Sequence, residues 1–143
     1  MKSLDVCCGS RMFWYDKQEP HTTFMDIRKY YEHLSTGHVI NVAPDVQADF
    51  KQIPFENEIF DLVVFDPPHL NHGGDKSWIV KKYGRLPKQW QPELKAGFAE
   101  CLRVLKPNGI IVFKWNDSQI KFSEVTRAIG HQPIFGDQRG KTR

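Results

Sequence analysis

The sequence predicts an α/β domain, Rossmann-like and doubly wound on a mostly parallel sheet. Three observations point there. The strongest apolar runs, "FDLVVF" (60–65) and "GIIVFKW" (109–115), are consecutive rather than alternating, as in strands covered on both faces. Such runs alternate with segments of helical spacing. The 143 residues, 40% hydrophobic and 26% charged, fit one domain with its own core.

The elements follow in order. Leu4 to Cys8 reads as a buried strand ending in a Gly-Ser turn, and Thr22 to Ile27 as a second strand. Residues 28–36 look helical or turn-like. Val46 to Phe50 is a weak third strand, poor in β-branched residues. Phe60 to Phe65 is the central strand. Residues 69–92 form a long connection without periodicity, of the kind that is usually functional or mobile. Glu93 to Leu105 places Leu94, Phe98, Leu102 and Leu105 at helical spacing, and "KPNG" supplies the stop. Gly109 to Trp115 is a further strand, Ser118 to Ile129 a helix ended by Gly130, and "QPIF" opens a last strand.

Several function classes are set aside by composition. No apolar run approaches the roughly 20 residues of a membrane span. No apolar h-region marks a secretory signal, so a cytoplasmic location is expected. Three cysteines, two of them vicinal (Cys7 and Cys8), make no disulfide framework. They make no zinc site either: vicinal thiolates ligate one ion poorly, and no C-x-x-C pair exists. No metal is expected. The formal charge of +3 permits an anionic partner without demanding one.

Ligands of parallel sheets sit at the carboxyl ends of the strands. Here those ends read "DVCCGS", "FMDIR", "ADF", "FDPPH" and "FKWND". The first offers an acid before a glycine turn, though not a dinucleotide fingerprint. Asp26, 21 positions after Asp5, is placed to accept from ribose hydroxyls, or is simply a solvated acid. Asp49 is an acceptor suited to an adenine amino group, with Phe50 beside it, or else a turn cap. At "VVFDPPHL" Pro67 and Pro68 cannot continue a ladder and hold their neighbours extended. The result is a stiff corner presenting the Asp66 carboxylate and backbone carbonyls, acceptors only, followed by the flat ring of His69.

With these ends assembled, the chain resembles the class I S-adenosylmethionine-dependent methyltransferases. More narrowly it resembles the amino-methyltransferases with an Asp-Pro-Pro-Tyr-type motif, in the manner of small phage or bacterial adenine-specific DNA methylases. The resemblance runs through "LDVCCGS", "FMDI", "ADF", "FDLVVFDPPH" and "ECLRVLKPNGIIVFKW". It implies that Asp5, Cys7 and Gly9 surround the methionine part of S-adenosylmethionine. Asp26 would hold the ribose, Ile27 would pack on the adenine, and Asp49 and Phe50 would contact its edge. Asp66, Pro67, Pro68 and His69 would form the catalytic motif. S-adenosylhomocysteine would be the product. Three features depart from the pattern: Gly9 stands alone, with Cys7 and Arg11 flanking it; His69 replaces the usual larger aromatic; and the closing antiparallel strand pair has no counterpart before Arg143. A single minimal domain lacking the last antiparallel strand is therefore expected, through a short fold or a truncated sequence.

The expected reaction is methyl transfer to an exocyclic amine of a nucleobase, adenine N6 in DNA foremost, with the base flipped out of a duplex. An RNA base, a protein glutamine amide, or a catalytically weak nucleic-acid-binding subunit are the alternatives. Between His69 and Lys95, six basic residues outnumber two acids, with aromatic residues interleaved. Basic residues among aromatics suit a nucleic-acid strand, which makes Lys76, Trp78, Lys81, Lys82, Tyr83 and Arg85 the substrate-binding candidates. A lid with solvated lysines is the plainer alternative. Arg139, Lys141 and Arg143 would extend the basic surface. A homodimer or a partner subunit is left open.

Overall fold

In a computed structural model, residues 1–137 are described. Arg139, Lys141 and Arg143 lie outside the described residues. The main sheet holds five parallel strands in the order β5 (Val46–Gln47), β2 (Thr22–Asp26), β1 (Ser3–Asp5), β6 (Phe60–Phe65) and β7 (Leu105–Phe113). This is the expected Rossmann-like α/β arrangement, and all carboxyl ends share one edge.

The continuous apolar run of β6 follows from its position. β1 pairs on one side of it and β7 on the other. Val63 and Phe65 then point into the main core with Leu4 and Met25. Helix α2 (Trp90–Val104) covers that face. It buries Trp90, Leu94, Phe98, Cys101 and Val104, whereas Leu102, expected in the apolar stripe, is 41% exposed. The helix begins earlier than its apolar repeat because Pro92 lies in the first turn, where a missing N–H costs nothing. Helix α3 (Phe122–Ile129) packs on α2, and its Phe122 stacks on Phe113 at 6.0 Å.

Both long helices therefore lie on one face, where a doubly wound sheet would carry helices on two. On the other face residues 6–21 contain no helix. They cross the sheet as turns, held by Trp14 edge-on to Phe24 at 5.4 Å and by the Arg11 guanidinium 4.0 Å from the Phe24 ring. Arg11 itself stands at φ 58°, and its carbonyl accepts the Trp14 amide in a turn. Past this cover the second face lies open, with Ile110 63% exposed.

Other differences have local causes. Residues 28–36, expected to be helical or turn-like, include strand β3 (Tyr30–His33), which forms an antiparallel hairpin with β4 (Val39–Val42). Gly37, at φ 85°, makes the reversal, and Ile40 and Val42 alternate inward. The third strand stops at Gln47 because Asp49 caps a turn, its Oδ1 accepting the Lys51 amide. "KPNG" interrupts β7 as an irregularity in register rather than preceding it. The connection 69–92 contains a short helix, α1 (Trp78–Tyr83). α3 starts at Phe122, four residues later than expected, and "QPIF" forms no strand. No described helix is long and apolar enough to cross a membrane.

Gly97 lets α2 approach the sheet. A Cβ there would stand 2.6 Å from Phe50 Cε2 and 3.1 Å from Phe65 Cζ. Helix propensity alone favours alanine by about 1 kcal/mol. Overpacking is the larger effect, so Gly97→Ala is expected to lower stability by about 1–3 kcal/mol in urea unfolding.

Candidate functional site

The carboxyl ends of β1, β2 and β6 bring Asp5, Asp26 and Asp66 to one edge of the sheet. Asp5 pairs in register with Phe24 and Val64, and Phe65 pairs with Phe113. Asp66 and Lys114 are thus neighbours across β6 and β7. The Lys114 amide donates to the Phe65 carbonyl at 3.0 Å, and its ammonium donates to Asp66 Oδ2 at 2.9 Å. Burial pushes the Asp66 carboxyl above the usual carboxylate range, and Lys114 pulls it partly back. The side chain remains 27% exposed.

The corner behind Asp66 is rigid. Pro67 is buried. Gly84, at φ 76°, brings the chain back over Pro68, where a Cβ would lie 3.3 Å from Pro68 Cγ. The Leu86 amide donates to the Leu70 carbonyl, which closes the segment on itself. Gln119 Oε1 accepts the amides of Asn71 and His72. His69 stands between Tyr83, at 5.2 Å, and Trp115, at 6.4 Å. Burial lowers its pKa, which favours the neutral ring.

The first glycine turn folds back on β2. Cys8 donates its amide to the Met25 carbonyl at 2.8 Å, and Gly9, at φ 50°, donates its amide to Asp26 Oδ2 at 2.9 Å. Asp26 Oδ1 accepts the Arg28 amide, also at 2.9 Å. Asp26 is buried, and its carboxylate clamps the loop. Asp5, Cys7, Gly9 and Asp26 do meet. Ile27, 57% exposed, lies beside them. Phe50 does not join: its ring packs against Gly97 and lies edge-on to Phe65 at 5.4 Å. Asp49 caps its turn and sits near the Lys51 ammonium at 3.8 Å.

Burial pushes the thiols up, Cys7 well above its ordinary value and Cys8 to about 12, so neither is a thiolate nucleophile at neutral pH. Among the described residues no group of three or more His, Cys, Asp and Glu side chains could hold a metal ion.

The substrate-binding candidates divide. Trp78, Lys82 and Tyr83 lie on α1, with the Lys82 ammonium 5.1 Å from the Tyr83 ring. Lys81 is tied to Glu32 at 2.7 Å, and Arg85 to Asp75 at 2.9 Å and to the Gly73 carbonyl. Lys76 lies just before α1.

Sequence reasoning missed Lys114, Trp14 and Arg28. The strand end "FKWND" was the available signal for Lys114. Trp14 had none, because its role depends on an unusual contact: its indole N–H donates to buried Asp5 Oδ2 at 2.7 Å. Arg28 donates to the Lys81 and Lys82 carbonyls at the end of α1, 53 and 54 residues away.

Burial pushes Asp5 up from 3.8 to about 7. The Trp14 hydrogen bond opposes that shift, and Asp66 adds to it. Between those values the folded chain holds a proton that the unfolded chain has released. Stability therefore falls as pH rises through that window, by about 4 kcal/mol for a difference of about 3 in pKa. Urea unfolding is expected to show about 3 kcal/mol of this decline between pH 5 and pH 8, the remainder falling below pH 5, and Asp5→Asn is expected to flatten it.

A scan against models of known protein families finds no match, and a search of curated proteins finds none. Among solved structures the chain is similar to the PH0226 protein of Pyrococcus horikoshii OT3. The TM-score is 0.52 at 19% identity, over 90% of this chain and 52% of that one. The chain spans about half the length of that protein, and at this identity the likeness shows the fold alone: a small Rossmann-like α/β domain.

Proposed function

We propose that the protein is an S-adenosylmethionine-dependent methyltransferase of the Asp-Pro-Pro-Tyr type, acting on the exocyclic amino group of a nucleobase, adenine N6 in DNA foremost. One observation carries this reading. The proline-locked corner sets the Asp66 carboxylate at the carboxyl end of β6, on the same sheet edge as the Gly9–Asp26 turn. That edge is where parallel sheets bind ligands.

The residues present suit the cofactor's adenosyl part. A Cβ on Gly9 would meet nothing within 4 Å, so a ligand can come close to the backbone there. Ile27 offers an exposed apolar surface beside it. Asp26 Oδ2 accepts the Gly9 amide and keeps a second lone pair for a hydroxyl, while Oδ1 accepts the Arg28 amide and has the Arg28 Nε at 3.6 Å. When bound, the sulfonium supplies an electrophilic methyl group.

The chain's own residues would handle the amine. Asp66 and the Pro67 carbonyl would accept its two N–H bonds and hold the nitrogen pyramidal, which frees a lone pair otherwise delocalised into the ring. Methylation would make the nitrogen acidic. Asp66, its pKa raised by burial, is suited to accept the proton released. Lys114 donates to Asp66 Oδ2, so a substrate amine would share that oxygen or donate to Oδ1.

The alternative of a weakly catalytic binding subunit is favoured by the enclosed His69 ring and by the amides already on Asp26. Nucleoside mass spectrometry after incubation with DNA and RNA separates the readings. N6-methyladenine is expected from wild-type protein, and its absence from both nucleic acids would reject the proposal. Asp66→Ala is expected to lower turnover by at least about 100-fold, on the scale of a lost transition-state contact, with cofactor affinity unchanged in calorimetry. Lys114→Gln removes the charge that lowers the Asp66 pKa. The acid limb of the rate–pH profile is then expected to move to higher pH.

A further inference from the structure

We propose that the groove between the β3–β4 hairpin and α1 binds a single strand of nucleic acid and delivers one of its bases to the Asp66 corner. This rests on the reading above and adds the surface that selects the substrate. The groove has a volume of about 1400 Å³. That exceeds the roughly 300–1,000 Å³ of a pocket for a drug-sized ligand, and so suits a longer occupant.

Its charge is one-sided. Five cationic side chains line it against the single carboxylate of Glu32. Two of the five are already engaged, Lys81 by Glu32 and Arg11 by Asp45. Among the described residues no carboxylate pairs with Lys17, Lys76 or Lys82. Lys17 donates one of its three N–H bonds to the Arg11 carbonyl at 3.1 Å, and the uncompensated charge of all three can face phosphates.

The walls favour a strand whose bases are unpaired. Trp78 is 56% exposed, with the Lys82 ammonium 5.9 Å from its ring. A ring so presented stacks on a bare base face, and a base within a duplex shows only its edge. Ser35, Thr36 and Asn41 on the facing hairpin supply donors and acceptors for base edges.

The helix that lines the groove also borders the site, although Tyr83, His69 and Asp66 are not themselves among the lining residues. Trp78 and Tyr83 lie at opposite ends of α1, about 8 Å apart along its axis. Tyr83 in turn lies 5.2 Å from His69. The two walls are joined before any ligand arrives. Arg28 donates to the Lys81 carbonyl at 2.7 Å and to the Lys82 carbonyl at 3.3 Å, and Lys81 bridges to Glu32 of β3. A site held open in this way loses little freedom on binding.

The test uses fluorescence anisotropy of labelled 12-nucleotide DNA and RNA of one sequence, with the DNA duplex and polyglutamate as competitors. Single strands are expected to bind at least tenfold more tightly than the duplex, and the DNA and RNA arms show which sugar is preferred. Thr36→Glu on the hairpin and Lys82→Glu on α1 are each expected to weaken strand binding at least tenfold, with melting temperatures unchanged. Lys76→Ala with Lys82→Ala is expected to reduce the salt slope by about 1.4, or 0.7 per phosphate contact on a single strand. The groove assignment is overturned if both glutamate variants bind the strand as wild type does, or if polyglutamate competes as well as the oligonucleotide. Methylation at wild-type KM in both glutamate variants would reject the groove and leave the methyltransferase reading standing. Strand binding that needs the groove, with no methylated nucleoside formed, would keep the groove and reject that reading.

Discussion

The register of β6 between β1 and β7 is the constraint on which the site depends. Pairing Val64 with Asp5 and Phe65 with Phe113 fixes where the strand ends, and so where Asp66 and Lys114 meet. A slip of one residue would replace Val63 and Phe65 in the core by Leu62 and Val64, break their packing against α2 and move the strand end. The core that α2 builds against this strand therefore also fixes the polar edge. Stability and site geometry come from the same packing, and the prolines after Phe65 keep that geometry stiff beyond the last ladder bond.

Around that edge the polar groups are arranged to hold the backbone as much as to meet a ligand. Asp26 fastens the Gly9 turn to β2. Asp5 is buried and anchors Trp14, which covers part of the second face of the sheet, beside Phe24, where residues 6–21 form no helix. Asp5, Asp26 and Asp66 sit close enough that mutual repulsion raises the Asp5 pKa, on top of its burial. Concentrated carboxylates of this kind are costly to the fold, and perturbed groups of this kind gather at functional sites.

Much of the architecture was legible in the sequence. The consecutive apolar runs of β6 and β7 and the helical spacing before "KPNG" are signals of burial, which short-range pattern records well. The strand ends could be found because parallel topology puts them all on one edge. The hairpin was missed because its inward residues, Ile40 and Val42, form too short an alternation. Phe50 shows a similar limit: its adjacency to Asp49 suggests a ligand contact, and only Gly97, 47 residues away, shows that its ring packs toward the core. Lys114 stands in a strand end that could be read, but its pairing with Asp66, like that of Arg28 with α1, is a long-range contact that one sequence cannot display.

The central claim is that the Gly9–Asp26 turn and the Asp66 corner together form one site, for a sulfonium donor and an amine acceptor. A crystal structure with S-adenosylhomocysteine tests it most directly. The account expects the ribose hydroxyls at Asp26, the amino-acid end against Cys7 to Gly9, and the thioether sulfur facing Asp66. A ligand seated elsewhere, with Asp26 and Asp66 untouched, would contradict it.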